Sequence, residues 1–284
     1  MRSSLQDKPK ACVIGWPVGH SRSPLIHGFW LNRLGIKGSY ECAEVSPGDF
    51  PGFMDNFARL GYAGGNVTLP HKQAAFERCA RTTETAACLN AVNTLWIEAG
   101  KLQGDNTDVA GFLAALDQEA PDWDLNSGHA VVIGAGGAAR AIVYALQLRG
   151  LRRILLVNRT KSRAATIAAD IGQPIEVVDD SNLQRSLAGA ALLVNATSLG
   201  MLGQPPLTID LTPLPPEATV SDIVYVPLET ALIKAAKSRG LLAVSGIGML
   251  LHQAVPGFER WFGIRPSVTA ELRGFIEADI SAAL

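Results

Sequence analysis

The 284-residue chain has few cysteines, and their spacing excludes the sites that cysteines usually build. Cys12, Cys42, Cys79 and Cys88 form no CxxC pair and have no accompanying histidine cluster. Zinc sites and the disulfide frameworks of small secreted domains depend on such spacings. We therefore expect free or buried thiols in a reduced compartment, a cytoplasmic protein, and no metal site.

An excess of charge and long apolar runs are also missing. The 25 Lys and Arg residues oppose 26 Asp and Glu, so the formal net charge is −1, and no basic cluster is available for nucleic acid. Apolar stretches are interrupted before they reach membrane-spanning length, and residues 1–10 lack the apolar segment of a secretory signal. We expect neither nucleic-acid nor membrane binding. With 48% hydrophobic residues, the chain has enough apolar material for two domains.

The most informative segment that is present runs from residue 129 to residue 140, His-Ala-Val-Val-Ile-Gly-Ala-Gly-Gly-Ala-Ala-Arg. An apolar run typical of a buried strand leads into glycines and then into a helix-forming stretch. In a dinucleotide-binding fold, Gly134 permits the tight turn and Gly136 lets the backbone approach a pyrophosphate. Ala139 takes the third glycine position and still allows close packing of helix on strand. The alternative is a glycine-rich loop of any parallel α/β protein.

The end of the next predicted strand indicates which dinucleotide is bound. NAD-binding chains place an acidic residue there for the ribose hydroxyls, whereas this chain has Asn158-Arg159-Thr160. An arginine suits a 2′-phosphate, which a carboxylate would repel. The sequence therefore predicts NADP(H) as the cofactor.

The order of predicted elements favours an α/β protein of two domains. Up to residue 104 the chain alternates strands and helices, among them a helix predicted over 51–60, and ends in a predicted hairpin around Ala99-Gly100. Another helix is predicted over 108–118. From His129 the βαβ alternation is regular, with a helix predicted over 161–171 and a strand over 175–178, as in a doubly wound parallel sheet. We predict an N-terminal α/β substrate domain of residues 1–109 and 246–284, and a Rossmann-like NADP-binding domain of residues 110–245.

Polar clusters at the ends of predicted elements are the other candidates for chemistry. They supply neutral hydroxyls and amides, with Lys72 and Asp108 as one cation and one anion, which suits a ligand with several hydroxyl groups. Each residue alone also has a structural explanation. Ser21 and Ser23 could cap the helix that begins near Pro24, Asp108 could cap another, and Lys72 could be a solvated lysine.

Together, in order, these clusters resemble the shikimate dehydrogenase family over residues 11–254. The opening segment Val13-Ile-Gly-Trp-Pro-Val-Gly-His-Ser-Arg-Ser-Pro24 is similar to that family's first signature. The segments that continue the resemblance are Asn66-Val-Thr-Leu-Pro-His-Lys72, Asn106-Thr-Asp108, Gly134-Ala-Gly-Gly137 with Asn158-Arg-Thr160, Asn195-Ala-Thr-Ser198, Asp222-Ile-Val-Tyr225 and Gly248-Met-Leu-Leu-His-Gln253. Asn90 departs from the family, which has glycine there, and we expect a local change in that turn.

The resemblance implies reversible, NADPH-dependent reduction of 3-dehydroshikimate to shikimate, a step towards chorismate and the aromatic amino acids. Lys72 would be the general acid/base, paired with Asp108. Ser21 and Ser23 would bind the substrate carboxylate, with Tyr225 nearby, and Thr68, Asn93, Asp108 and Gln253 would bind the ring hydroxyls. The cofactor would be held by Gly134, Ala135, Gly136, Gly137, Ala138, Asn158, Arg159, Thr160, Arg163, Thr197 and Gly246.

Two alternative functions remain open at this point, and the chain is expected to be a monomer or homodimer in either case. One is a quinate or quinate/shikimate dehydrogenase of the catabolic branch that uses NAD. Arg159 weighs against NAD, and by resemblance Ser23 suits shikimate better than the threonine of quinate users. The other is a non-catalytic NADP-binding regulator, which would have no need to keep both Lys72 and Asp108.

Overall fold

The computed structural model describes residues 8–125 and 127–284, which fold into two compact units. The first unit is formed by the chain up to Thr107 together with Ala254–Leu272. The second is formed by Asp108–Gln253 and the chain from Arg273 onward. The predicted assignment of residue ranges to substrate and cofactor domains stays a prediction.

The first unit is built on a six-stranded mixed sheet. Its strands are β1 (Lys10–Gly15), β2 (Ser39–Glu44), β3 (Tyr62–Val67), β4 (Arg81–Thr82), β5 (Thr94–Glu98) and β6 (Lys101–Asp105), in the order β2-β1-β3-β5-β6-β4. Strand β1 pairs in parallel with β2 and β3, while β5 runs antiparallel to β3 and β6. The helices between the strands are α1 (Ser23–Arg33), α2 (Phe50–Asp55), α3 (Lys72–Arg78) and α4 (Glu84–Leu89).

The predicted hairpin is confirmed, whereas helices α2, α3 and α4 differ from what the sequence predicts. Ala99 and Gly100 form the two-residue turn with φ values of 49° and 73°, the left-handed conformation that such hairpin turns require. The helix predicted over 51–60 ends at Asp55, because the next residues form tighter turns, such as the hydrogen bond from Phe57 N–H to the Met54 carbonyl. Helices α3 and α4 were not predicted. They span only 7 and 6 residues, too few for a helical period to emerge.

The second unit contains the predicted doubly wound sheet. Its six parallel strands are β7 (His129–Ile133), β8 (Ile154–Val157), β9 (Ile175–Val178), β10 (Ala190–Asn195), β11 (Thr219–Asp222) and β12 (Leu242–Ser245). Their order, β12-β11-β10-β7-β8-β9, reverses direction between β7 and β10. The remaining helices are α5 (Asp108–Glu119), α6 (Gly137–Leu148), α7 (Lys161–Ile171), α8 (Leu183–Ser186), α9 (Ala231–Ser238), α10 (Gly246–Phe262) and α11 (Ala270–Ala282). In the described part of the chain, no helix is long and apolar enough to cross a membrane.

Burial explains why the central strands of this sheet read as continuous apolar runs. Strands β8 and β10 are buried along their whole length, as is typical of parallel strands covered on both faces. Ala139, at the third position of the glycine motif, is fully buried, which confirms the close packing expected there. Helix α9 and strand β12 were not predicted. Strand β12 is a short edge strand that begins with a half-exposed Leu242, so its signal in the sequence is weak.

An aromatic cluster in the first unit encloses a histidine. His27 is fully buried, stacks on Tyr40 with a centroid distance of 4.0 Å, and lies 5.8 Å from the Phe258 ring. Burial lowers the pKa of His27 to about 3, because the imidazolium would lose its hydration without a compensating anion. His27 is therefore a neutral core residue.

Because His27 is buried and neutral, the free energy of unfolding should fall in acid. Since its folded-state pKa lies below the unfolded value of about 6.5, only the unfolded chain takes up this proton below that pH. The free energy of unfolding should fall by up to about 1.4 kcal/mol per pH unit between about pH 6 and pH 3.5 from this residue alone. Urea titrations at several pH values should give a shallower slope for His27→Phe than for the parent. Equal slopes would show that His27 does not contribute.

Candidate active site

Two serines follow strand β1 in the first unit. The Ser21 hydroxyl accepts a hydrogen bond from Ser23 N–H at 3.2 Å, so Ser21 does satisfy one donor at the start of α1. Ser23 is 6% exposed, so its side chain is buried at the start of α1. The capping explanation therefore holds in part for Ser21 and does not account for Ser23.

Tyr40 begins a chain of hydrogen bonds that the sequence did not reveal. The Tyr40 hydroxyl donates to Asn66 Oδ1 at 2.6 Å, and Asn66 Nδ2 donates to the carbonyl of Asn93 and to the hydroxyl of Thr94, both at 3.2 Å. Burial raises the pKa of Tyr40 well above its ordinary value, so it stays protonated as a donor. The chain reaches the backbone carbonyl of Asn93, one of the predicted substrate-binding residues. Tyr40 carries no signal in the sequence because it lies within a strand.

Lys72 is the first residue of α3, directly after the Thr68 turn. His71 precedes it and is anchored by its Nε2–H, which donates to the Val45 carbonyl at 2.7 Å, and by stacking on Phe50. The Lys72 carbonyl accepts from Val92 N–H at 2.9 Å, and the Thr68 carbonyl accepts from His71 N–H at 3.0 Å. These bonds fix the backbone of a half-buried lysine beside the segment that leads to Asn93.

Asn93 lies at the beginning of the hairpin and is 3% exposed. Its Oδ1 accepts from both the backbone N–H (2.8 Å) and the hydroxyl (3.1 Å) of Thr107. A substrate contact by Asn93 would therefore come from its amide nitrogen. Asn90, in the turn just before it, has the left-handed conformation with φ 50°, which asparagine tolerates; the expected local change relative to the family stays a prediction.

Asp108 and Gln253 come together within the second unit. Asp108 begins α5, and Gly111 lies one turn later on the same face. A Cβ on Gly111 would lie 2.6 Å from Gln253 Cβ and 2.8 Å from its Cα, so glycine is needed for α10 to pass this closely. Gln253 therefore lies beside the first turn of α5. The half-buried Tyr225 belongs to the same unit, in the turn after β11.

The glycine motif lies where the strand order of the second sheet reverses. Gly134 follows β7 with φ 120°, and a Cβ there would lie 2.8 Å from the Ala196 carbonyl oxygen and 3.0 Å from Thr197 Cγ2, so the fold itself requires glycine. Gly136 and Gly137 are exposed and would meet nothing within 4 Å. Glycine at those two positions is not explained by protein packing. It fits a phosphate that approaches the free N–H groups at the start of α6.

The end of β8 carries the residues expected to distinguish NADP from NAD. Asn158 Nδ2 donates to the Thr160 carbonyl at 2.8 Å and closes the turn that presents Arg159. Arg159 and Arg163 are exposed, and neither has a carboxylate partner within salt-bridge distance in the part of the chain that the structure describes. Two unneutralised guanidinium groups suit a phosphate dianion. The described residues include no group of three or more His, Cys, Asp or Glu placed to hold a metal ion.

The strand order and the glycine turn at its reversal define a dinucleotide-binding protein of the Rossmann class. Residues 13–95 match the family described as shikimate dehydrogenase substrate binding domain, residues 115–201 match shikimate / quinate 5-dehydrogenase, and residues 246–270 match the shikimate 5'-dehydrogenase C-terminal domain. The chain belongs to the shikimate dehydrogenase family.

Relatives and solved structures agree with this assignment. A curated shikimate dehydrogenase (NADP(+)) of Methylocella silvestris is 59% identical over 276 residues, 97% of this chain and 98% of the relative. The structure of shikimate 5-dehydrogenase from Thermus thermophilus with NADP(H) and shikimate matches with a TM-score of 0.83 and 36% identity, over 97% of this chain and 100% of that one. Quinate dehydrogenase from Corynebacterium glutamicum with NAD has a TM-score of 0.88 at 31% identity, covering 98% and 100% of the two chains.

Proposed function

We propose that this chain catalyses the reversible reduction of 3-dehydroshikimate to shikimate with NADPH. The observation that carries the proposal is the 59% identity, over almost the whole of both chains, to a shikimate dehydrogenase that uses NADP(+). The exposed Arg159, where NAD-binding chains place an acidic residue, and the exposed Arg163 near it in sequence support the same cofactor.

The substrate would be held through hydroxyl and amide groups. We assign the carboxylate to the hydroxyls of Ser21 and Ser23, with Tyr225 at the same end. We assign the binding of the ring hydroxyls to Thr68, Asn93, Asp108 and Gln253. The two hydrogen bonds from Thr107 to Asn93 Oδ1 support the assignment of Asn93, because they leave its amide nitrogen as the donor for a ligand.

The cofactor would be held by the turn after β7 and the turn after β8. Gly134–Ala138 would face the pyrophosphate, and Asn158, Arg159, Thr160 and Arg163 the 2′-phosphate and ribose. We also assign Thr197 and Gly246 to cofactor binding. When bound, NADPH supplies the hydride that adds to the ring carbonyl carbon.

Lys72 would supply the proton. As the carbonyl carbon is reduced, negative charge develops on its oxygen, and the Lys72 ammonium stabilises that charge and donates a proton to it. In the reverse direction the neutral amine accepts the hydroxyl proton of shikimate. We assign Asp108 as the carboxylate that pairs with this ammonium and orients it.

A direct test is to identify the product. Purified protein with shikimate and NADP⁺ should yield 3-dehydroshikimate, detected by mass spectrometry, at the same rate as NADPH appears in the absorbance. Tight NADPH binding without any product would contradict the enzymatic assignment and favour the regulator.

The serines give a separate prediction for substrate recognition. Replacing both residues with alanine should raise KM for shikimate by about 10- to 100-fold, because two hydrogen bonds to a carboxylate are lost. KM for NADP⁺ should stay within about twofold, since no cofactor contact is assigned to either serine. An unchanged KM for shikimate would leave Ser21 and Ser23 with structural roles only.

We further propose that the enzyme works in the cytoplasm, as a monomer or homodimer. All four cysteines are free thiols, which suits a reducing compartment. Light scattering of the purified protein at several concentrations would decide between the two oligomeric states.

A further inference from the structure

A fully buried carboxylate at the carboxyl end of β11 has no role in the assignments above. Asp222 Oδ1 accepts hydrogen bonds from Asn195 Nδ2 at 2.9 Å and from Val224 N–H at 3.0 Å, and Oδ2 accepts from the Thr230 hydroxyl at 2.7 Å. Burial raises the pKa of Asp222, and these three bonds act in the opposite direction. One acceptor group therefore connects three separate segments of the second unit.

The first segment is the loop after β10, which the carboxylate reaches through Asn195. Because a carboxylate only accepts, the amide nitrogen of Asn195 must face Asp222, and Asn195 Oδ1 must face away. That oxygen accepts from both the N–H (3.0 Å) and the hydroxyl (2.7 Å) of Thr197. Asn195 Nδ2 also donates to the Leu199 carbonyl, and Leu199 N–H donates to the Thr197 hydroxyl, both at 3.0 Å. Asp222 thus sets the orientation of the amide that shapes this loop, which lies against Gly134.

The second segment is the turn after β11. Val224 N–H is fixed by Asp222, and the Val224 carbonyl accepts from Gly246 N–H at 3.3 Å. A Cβ on Gly246 would lie 2.9 Å from the Val224 carbonyl carbon and still closer to the Ile223 carbonyl, so the fold explains this glycine without a ligand. Tyr225 follows directly, so its backbone position depends on the same carboxylate.

The third segment is helix α9. Its hydrogen bond to Asp222 provides a control, because it can be removed without a change to any residue assigned to substrate or cofactor. The Thr230 hydroxyl donates to Asp222 Oδ2 and accepts from Ile233 N–H at 3.3 Å, which caps the helix. This connection leads to no residue that we assign to substrate or cofactor. Loss of it should lower stability without a change in ligand binding.

We propose that Asp222 is a positioning residue for the reaction, which holds the Thr197 loop through Asn195 and the Tyr225 turn through Val224. The inference rests on the assignment of Thr197 to the cofactor and of Tyr225 to the substrate. A single buried acceptor would then align a cofactor-side loop and a substrate-side turn on neighbouring strands.

The test compares variants that each remove a different hydrogen bond to the same carboxylate. Asn195→Ala should raise KM for NADP⁺ by at least about 10-fold and weaken NADPH binding followed by fluorescence. Thr230→Val should lower Tm to a similar extent but leave both KM values within about twofold. Asp222→Ala should raise KM for both substrates, and Asp222→Asn should restore most of the loss, because its Oδ1 can still accept from Asn195 and Val224.

Two results would overturn the proposal. One is equal changes in KM for Asn195→Ala and Thr230→Val at equal loss of Tm, which would reduce the network to stability alone. The other is an unchanged KM for NADP⁺ in Asn195→Ala. Thr197→Val separates the causes of that second result: if it raises KM for NADP⁺, only the positioning role fails. If it has no effect, the cofactor assignment of Thr197 fails as well.

Discussion

Replacing Lys72 with methionine should lower kcat by about 10²- to 10⁴-fold, the usual contribution of a positioned acid/base group. Methionine keeps much of the aliphatic stem but can neither donate a proton nor stabilise charge on the carbonyl oxygen. Shikimate affinity, measured by calorimetry, should change by less than about fivefold, because most of its contacts are assigned to other residues. The loss should therefore appear in kcat rather than in KM.

A matched control is Lys37→Met in the same unit. Lys37 is an exposed lysine in the segment between α1 and β2 and has no assigned role. It should retain the parent kcat and Tm. A Lys72→Met variant that keeps a kcat near the parent value while folded would remove Lys72 from the chemistry and leave it as a helix N-terminal lysine.

Replacing Arg159 with alanine should separate the two cofactors. A charge-assisted hydrogen bond contributes about 1.5–3 kcal/mol, so KM for NADP⁺ should rise by roughly 10- to 100-fold. KM for NAD⁺ should change by less than about threefold, because NAD⁺ has no phosphate at that position. Arg163→Ala should act in the same direction, since both guanidinium groups are exposed at the start of α7.

Arg152→Ala is the control for the general effect of charge. Arg152 is exposed in the same unit but lies before β8, at the opposite end of the strand from Arg159. It should change neither KM. If Arg159→Ala raised KM for both cofactors by the same factor, Arg159 would bind a part of the cofactor that NADP and NAD share, and the 2′-phosphate assignment would be wrong.

The nucleotide-binding half of the fold could be predicted from sequence in detail. Helix Lys161–Ile171 and strand Ile175–Val178 have the bounds that the pattern predicts. Parallel strands buried on both faces give continuous apolar runs, and glycines mark the turns, so the signal is local. Helix α3, which carries Lys72, could not be predicted because a helix of two turns has no clear period.

The hydrogen-bond network that supports the candidate site could not be predicted from the sequence either. Tyr40, Asn66 and Thr94 come from three strands, and only the sheet brings their side chains into hydrogen-bonding distance. Asp222 is a similar case: its partners at Asn195 and Thr230 are separated from it by 27 and 8 residues. A motif shows that such residues recur in a family, but their hydrogen-bond partners depend on tertiary contacts.

The most direct test of the account is a comparison of kcat/KM for shikimate and quinate, each with NADP⁺ and NAD⁺, followed by the absorbance of the reduced nicotinamide. The account predicts turnover mainly with shikimate and NADP⁺, and a preference for NADP⁺ that disappears in Arg159→Ala. A higher kcat/KM for quinate with NAD⁺ would contradict it and assign the chain to quinate oxidation.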